Sequence, residues 1–170
     1  YLIYDFEEDN TLPAVRNSIG NYPNLFLIKN NYGRGILNAI KTGFEISEEP
    51  IILVTMADGS DDYSIVTSMF AKIAEGYDIV CASRYMKGGR QVGGPPLKGI
   101  LSYLGGVSLS LLTGIGTHDI SNNFRMYRRE VLNKIKIQSQ GFEIAAEITV
   151  KAYLMGYRIA EVPTVWKGRK

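Results

Sequence analysis

Short runs of β-branched and aromatic residues recur through the first half of the chain, and between them the apolar residues fall three and four positions apart. That alternation builds strands joined by crossover helices, so the fold class is α/β, with a mostly parallel central sheet flanked by helices. The expected strands are Tyr1 to Asp5, Leu25 to Lys29, Ile51 to Thr55 and Asp78 to Ser83, each apolar enough for burial on both faces. A first helix is expected after Thr11 with Pro13 in its first turn, and a second from about Gly35 through Phe44. A third starts after Asp61 and Asp62 and carries Ile65, Val66, Met69, Phe70 and Ile73 on one face. At 170 residues the chain suits one domain spanning 1–170.

The second half has a different texture. Lys87 to Pro96 holds four glycines and two prolines and is expected to be a long mobile loop, suited to a lid. Leu97 to Thr113 reads as an apolar helix that either breaks or packs closely at Gly105-Gly106. Phe124 to Arg128 reads as a strand, Phe142 to Met155 as a helix, and Tyr157 to Trp166 as an extended segment interrupted by Pro163. Tyr1 to Asp5 reads as a strand from its first residue, so the sequence is expected to begin inside a domain. No run approaches the ~18 apolar residues of a membrane span.

Charge and rare residues narrow the chemistry. Lys+Arg 19 against Asp+Glu 17 leaves +2, too balanced for the basic footprint of a nucleic-acid binder. Cys81 is the one cysteine, sits in an apolar run and reads as a buried thiol, in keeping with a reducing compartment. With one cysteine and one histidine, the usual zinc sites are excluded. His118 has no nucleophile motif beside it and reads as a turn or capping residue.

In open parallel sheets, ligands sit beyond the carboxyl ends of the strands. After the first strand stand Asp5, Glu7, Glu8 and Asp9; after the third, Ala57, Asp58, Asp61 and Asp62; after the fourth, Arg84. The aspartates after the third strand read either as capping and turn residues or as ligands of a hard cation such as Mg²⁺ or Mn²⁺ bridging to a nucleotide's phosphates. Asp5 reads either as a cap or as a contact to a base or ribose. Gly33 and Gly35, just before a helix, read either as turn glycines or as a phosphate cradle. Lys98 and Ser102, four apart on a helix, share a face and can hold an oxyanion that Arg84 also approaches, unless they are a solvated lysine and a packing serine.

Taken in order, these motifs resemble the family 2 glycosyltransferases of the GT-A fold, nearest the branch of dolichol-phosphate mannose synthase and bacterial polyprenyl-phosphate glycosyltransferases. Tyr4-Asp5 with Glu8-Asp9-Asn10-Thr11 resembles V-D-D-x-S-x-D-x-T, one residue shorter, and Asn31 to Gly43 resembles N-x-G-x-G-x-A-x-x-x-G. Asp58 falls on the second acid of D-x-D, with Met56 in place of the first. Ser83-Arg84-Tyr85 resembles G-S-R-Y with Ala82 for the glycine, Lys98 and Ser102 fall on R-x-x-x-S, and Asp119 to Arg125 resembles D-x-x-x-G-F-R with Asn123 for the glycine. Gly141-Phe142-Glu143 with Glu147, then Gly156 and Glu161-Val162-Pro163, follow the family's last motifs.

The resemblance implies a GT-A domain lacking its first strand and an inverting transfer of a sugar from GDP-mannose or a UDP-sugar to a polyprenyl phosphate, at the cytoplasmic face of a membrane. It implies that Asp5, Gly33, Gly35, Ala57 and Asp58 contact the nucleotide sugar, that Asp58 holds Mg²⁺ or Mn²⁺, and that Arg84, Lys98 and Ser102 hold the acceptor phosphate. It places Asp58, Arg84, Asp119 and Arg125 in the catalytic site, with Glu147 shaping it. Partners are then the nucleotide sugar and the lipid phosphate, with peripheral membrane contact and a homo-oligomer as further expectations. Two other readings stay open: a glycan or other hydroxyl acceptor, with Asp119 as general base, and a non-catalytic nucleotide-sugar-binding domain.

Overall fold

In the computed structural model, which describes residues 1–168, the chain divides into two compact units. The first comprises Tyr1–Glu49 with Gln140–Phe142. It contains β1 (Leu2–Tyr4), α1 (Leu12–Ile19), β2 (Leu27–Lys29) and α2 (Ile36–Ile46). β1 and β2 are parallel, with Leu2 opposite Leu27 and Tyr4 opposite Lys29, which is the crossover unit the alternation predicts. Pro13 stands in the first turn of α1, where its missing N–H costs nothing. α2 lies on β1, with Gly43 facing Ile3.

The second unit contains β3 (Ile51–Val54), a 3₁₀ turn (Tyr63–Ile65), α3 (Val66–Ala74), β4 (Ile79–Ser83), β5 (Arg90–Val92) and α4 (Pro96–Thr113). It continues with β6 (Arg125–Arg128), α5 (Arg129–Lys134), α6 (Ile144–Leu154), β7 (Ile159–Pro163) and β8 (Val165–Lys167). Its four-stranded sheet runs β3-β6-β4-β7. β4 pairs parallel with β7, whereas β6 pairs antiparallel with both β3 and β4, so one strand runs against the other three. Every residue of β4 is buried, whereas β1, β2 and β3 are only partly covered, so burial on both faces holds for β4 alone. Met69 and Ile73 of α3 close over Val80, Ala82, Phe124, Met126 and Val162 to form the core. Cys81 is buried in the middle of β4, and that burial pushes its thiol pKa up.

Two segments differ from the sequence expectation. The glycine-rich stretch from Lys87 to Pro96 contains a strand: β5 pairs in parallel with β8, Arg90 opposite Val165 and Val92 opposite Lys167. α5 also follows β6 where no helix was expected. α4 passes through Gly105-Gly106 unbroken, because Gly106 is a close-approach position: a Cβ there would run into the carbonyl oxygen of His118.

Neighbouring glycines of one helix therefore respond oppositely to alanine. Gly105 faces open space, and Gly105→Ala is expected to stabilise by about 0.5–1 kcal/mol through helix propensity. Gly106→Ala is expected to destabilise by ~1–3 kcal/mol by overpacking. Urea unfolding of both variants checks the pair.

Candidate functional site

In the first unit, Asp5 follows β1 and its carboxylate ties the loop before α2. Asn30 Nδ2 donates to Asp5 Oδ1 at 2.9 Å, and the Gly35 backbone N–H donates to Oδ2 at 2.9 Å. Asn30 is itself buried, accepting from Thr42 Oγ1 and from the Tyr32 N–H. Gly33 and Gly35 have φ of 86° and 117°, backbone that strongly favours glycine. The structure thus brings Asp5, Gly33 and Gly35 together, and the Gly35 N–H that a phosphate cradle would use is bound to Asp5.

In the second unit, the turn after β3 carries Ala57 and Asp58, both exposed. Asp58 Oδ1 accepts from the Ser60 N–H at 3.0 Å and from Ser60 Oγ at 2.6 Å. Asp61 points inward, accepting from Thr55 Oγ1 and the Met56 N–H. Burial pushes the Asp61 carboxyl above its usual range, those two donors work against the shift, and the like charge of Asp58 adds to it. Asp62 caps the 3₁₀ turn by accepting from Ser64 N. Asp61 is therefore a turn brace and Asp62 a cap, and Asp58, whose Oδ1 holds Ser60 in the same way, is the most exposed of the three. One carboxylate with a diphosphate is a donor set that Mg²⁺ or Mn²⁺ accepts, since such ions keep waters and draw ligands from substrate phosphates. Among the described residues no three His, Cys, Asp or Glu side chains gather as a cation site, so an ion at this turn would take Asp58 as its protein carboxylate and draw its other ligands from substrate and water.

The densest polar cluster lies at the carboxyl end of β4. Arg84 Nε donates to Asp119 Oδ2 at 2.7 Å, Nη2 donates to Oδ1 at 2.8 Å, and the Arg84 backbone N–H adds a third bond to Oδ2. Asp119 has no solvent exposure and Arg84 keeps 12% of its side chain exposed, so the pair is a fork-on-fork ion pair in a low dielectric. Burial works against the charge on Arg84, and Asp119 more than restores it, holding the guanidinium pKa above its ordinary value. Arg84 Nη2 also reaches Ser121 Oγ at 2.8 Å and Ser102 Oγ at 3.4 Å, and Nη1 donates to Gln91 Oε1 at 3.2 Å. The two serine hydroxyls are 2.5 Å apart. The ring of Tyr85 flanks the guanidinium. Lys98 stands one turn before Ser102 on α4, exposed. An open groove of about 450 Å³, lined by Tyr85, Gln91, Gly94, Pro96, Ile100 and Tyr103, adjoins the cluster.

The structure thus brings Arg84, Ser102 and Asp119 together. Ser121 and Gln91 join them without having been singled out: Ser121 stands two residues after Asp119, and Gln91 lies on a strand visible only through its pairing with β8. Two expected catalytic residues are placed as scaffold. All four acceptor contacts of Asp119 go to Arg84 and Ser121, so its carboxylate is not presented as a base. Arg125 is fully buried, donating to the carbonyls of Asn122, Ala145 and Asp119 and to Thr149 Oγ1. Its guanidinium fixes the loop that carries Asp119 and has no face toward solvent.

Glu147 fastens residues 138–139 to α6, its oxygens accepting from the Gln138 and Ser139 N–H groups at 2.7 Å each and from Lys151. Burial works to raise its pKa, but Lys151 and the two N–H groups overcome this and hold it down at about 2, against an ordinary 4.5. Its folded pKa is depressed, so its contribution to stability is complete above pH 4.5 and is lost as pH falls toward about 2. The stability difference between the parent and Glu147→Gln, measured by urea unfolding, is expected to shrink across that window.

Comparison with known proteins places this geometry in context. The family model described as Glycosyl transferase family 2 matches residues 1–136. Polyprenol monophosphomannose synthase of Mycolicibacterium smegmatis is 33% identical over 70% of this chain and 46% of its own length. Dolichyl-phosphate hexose transferase of Haloferax volcanii is 28% identical over 77% of this chain and 56% of its own. The chain spans about half the length of the curated relatives it matches. Among solved structures, glucosyl-3-phosphoglycerate synthase of Mycobacterium tuberculosis, in complex with Mn²⁺, UDP-glucose and phosphoglyceric acid, superposes with a TM-score of 0.70 at 13% identity, covering 99% of this chain and 60% of that one.

Proposed function

We propose, from the premise that this chain belongs to glycosyl transferase family 2 and has its GT-A fold, that it moves a hexose from a nucleoside diphosphate donor to a polyprenyl phosphate, with inversion. The observation that carries the acceptor assignment is the occupancy of Asp119. A hydroxyl acceptor needs a base to take its proton, and the carboxylate best placed for that work is fully spent on Arg84 and Ser121. A phosphomonoester needs no such base, because its second pKa of ~6 leaves it largely ionised near neutral pH. What it needs is cationic and hydroxyl donors, and Arg84, Ser102 and Ser121 supply them, with Lys98 one turn away.

In this reading, an acceptor phosphate oxygen attacks the anomeric carbon as its bond to the donor diphosphate breaks on the opposite face. Arg84 and the serines orient the attacking phosphate, a pre-organised arrangement that costs no reorientation during the reaction. Asp58 would hold Mg²⁺ or Mn²⁺, which neutralises charge on the departing diphosphate. In the first unit, Asp5 would contact the base of GDP-mannose or a UDP-sugar, and Gly33 and Gly35 would contact the nucleotide sugar. The relatives named for polyprenol and dolichyl phosphates support the acceptor, and the neighbour holding Mn²⁺ with UDP-glucose supports the metal and donor class.

α4 adds a lipid-compatible surface. Leu97, Ile100, Leu101 and Leu104 are exposed along the side away from Gly106, beside the turn that carries Ser102. No helix among the described residues is long and apolar enough to cross a membrane. In the proposed reading α4 meets the lipid peripherally, at the cytoplasmic face.

The test is release of nucleoside diphosphate from GDP- and UDP-sugars with Mn²⁺, with and without a short polyprenyl phosphate. Acceptor-dependent release is expected, reduced at least ~10-fold in kcat/KM, or ~1.4 kcal/mol, by Arg84→Ala. Asp58→Asn is expected to weaken the metal dependence. Release that requires a glycan would favour the hydroxyl acceptor, and donor binding without release would favour a non-catalytic domain.

A further inference from the structure

We infer that Glu161 is a positioning residue for the acceptor-phosphate cluster, acting on Arg84 through the segment Thr117–Asp119; the inference rests on the reading of Arg84 as a phosphate ligand. Glu161 lies on β7, opposite Cys81 of β4 in the parallel register. Its carboxylate keeps only 11% exposure and binds one loop, the connection from α4 to β6. Oε2 accepts from the His118 backbone N–H at 2.8 Å and from Thr117 Oγ1 at 3.3 Å. Oε1 meets His118 Nδ1 at 2.6 Å.

The relay continues from Thr117. The Thr117 hydroxyl donates its O–H to Glu161 and accepts from the Asp119 backbone N–H at 3.1 Å. The Asp119 carbonyl is held from the other side by Arg125 Nη2 at 2.8 Å. Both backbone groups of Asp119 are therefore fixed, one through Glu161 and one through Arg125, and its side chain then sets the plane of the Arg84 guanidinium. Two donors from one loop, the His118 backbone N–H and the Thr117 hydroxyl, converge on Oε2 while the His118 ring nitrogen closes on Oε1, and a neutral amide would hold those two donors with a single, weaker acceptor oxygen. Gly106 of α4 lets the helix sit against the His118 carbonyl, so the loop has little room to find other partners.

A buried carboxylate that merely stabilised the fold would loosen the whole unit when removed. A positioning carboxylate loosens one arginine. Side-chain ¹⁵N NMR separates the two: Arg84 Nε–H, assigned by its loss in Arg84→Lys, is expected to exchange with solvent at least tenfold faster in Glu161→Gln, with Arg125 Nε–H unchanged. Equal acceleration at both arginines, or none at Arg84, overturns the inference. In kinetics, Glu161→Gln is expected to raise KM for a short polyprenyl phosphate about tenfold and to leave the nucleotide-sugar KM within twofold; a rise in both overturns it. His118→Ala keeps the backbone bond to Glu161 and is expected to shift the acceptor KM less than threefold. Thr117→Val breaks the relay at its middle and is expected to reproduce Glu161→Gln, which keeps the inference testable if the glutamine variant fails to fold. The exchange measurement needs no acceptor. Failure of the parent protein to use polyprenyl phosphate would sink the proposed function, whereas the NMR comparison decides the relay by itself.

Discussion

Asp119 carries its charge at a position with no solvent exposure, and three hydrogen bonds from Arg84 make that tolerable. Breaking such a pair by removing one partner typically costs ~3–5 kcal/mol, because the survivor is left charged and buried. Arg84 comes from the end of β4, Ser102 from α4, Gln91 from β5, and Ser121 from the loop after Asp119 itself. The bonds of Gln91, Ser102 and Ser121 to the guanidinium depend on the ion pair that holds it in place. The pair depends in turn on the fully buried β4, on the close approach that Gly106 permits, and on Arg125 and Glu161 holding the loop from two sides.

This arrangement separates binding from proton transfer. A carboxylate near a sugar-transfer centre invites the role of general base, yet here the same group is consumed in orienting a cation. The consequence is a carboxylate committed to Arg84, while the remaining Arg84 donors rest on the neutral acceptors Gln91, Ser102 and Ser121, which an arriving anion can displace. The turn after β3 divides its carboxylates by burial: Asp61 braces from inside, Asp62 caps, and Asp58 is the most exposed of the three. An ion held by one carboxylate depends on substrate oxygens for the rest of its shell, which ties metal affinity to the presence of the donor.

Much of this was legible in local patterns. Pro13 at the start of α1, the apolar run of β4, and the four-residue spacing of Lys98 and Ser102 each carry their structural meaning within a few residues. What was not legible depends on partners distant in sequence. β5 looks like loop because its glycines and prolines dominate, and it becomes a strand only against β8 near the other end of the chain. The reversed direction of β6 leaves no mark on its composition. Arg125 carries an arginine's sequence signature of surface or catalysis, but the carbonyls of Asn122, Ala145 and Asp119 make it a core residue. Asp119 reads as a base until Arg84, 35 positions earlier, is seen to occupy it.

The central claim is that the Arg84–Asp119 pair organises a site for a phosphate carried on a lipid. Calorimetric titration of a short polyprenyl phosphate into the parent protein and into Asp119→Asn tests it directly, with the matching polyprenol as control. The account predicts saturable binding of the phosphate by the parent, none of the polyprenol, and affinity at least tenfold weaker in the variant while its fold is retained by circular dichroism. Equal affinity for phosphate and alcohol, or an unchanged affinity in Asp119→Asn, would contradict it.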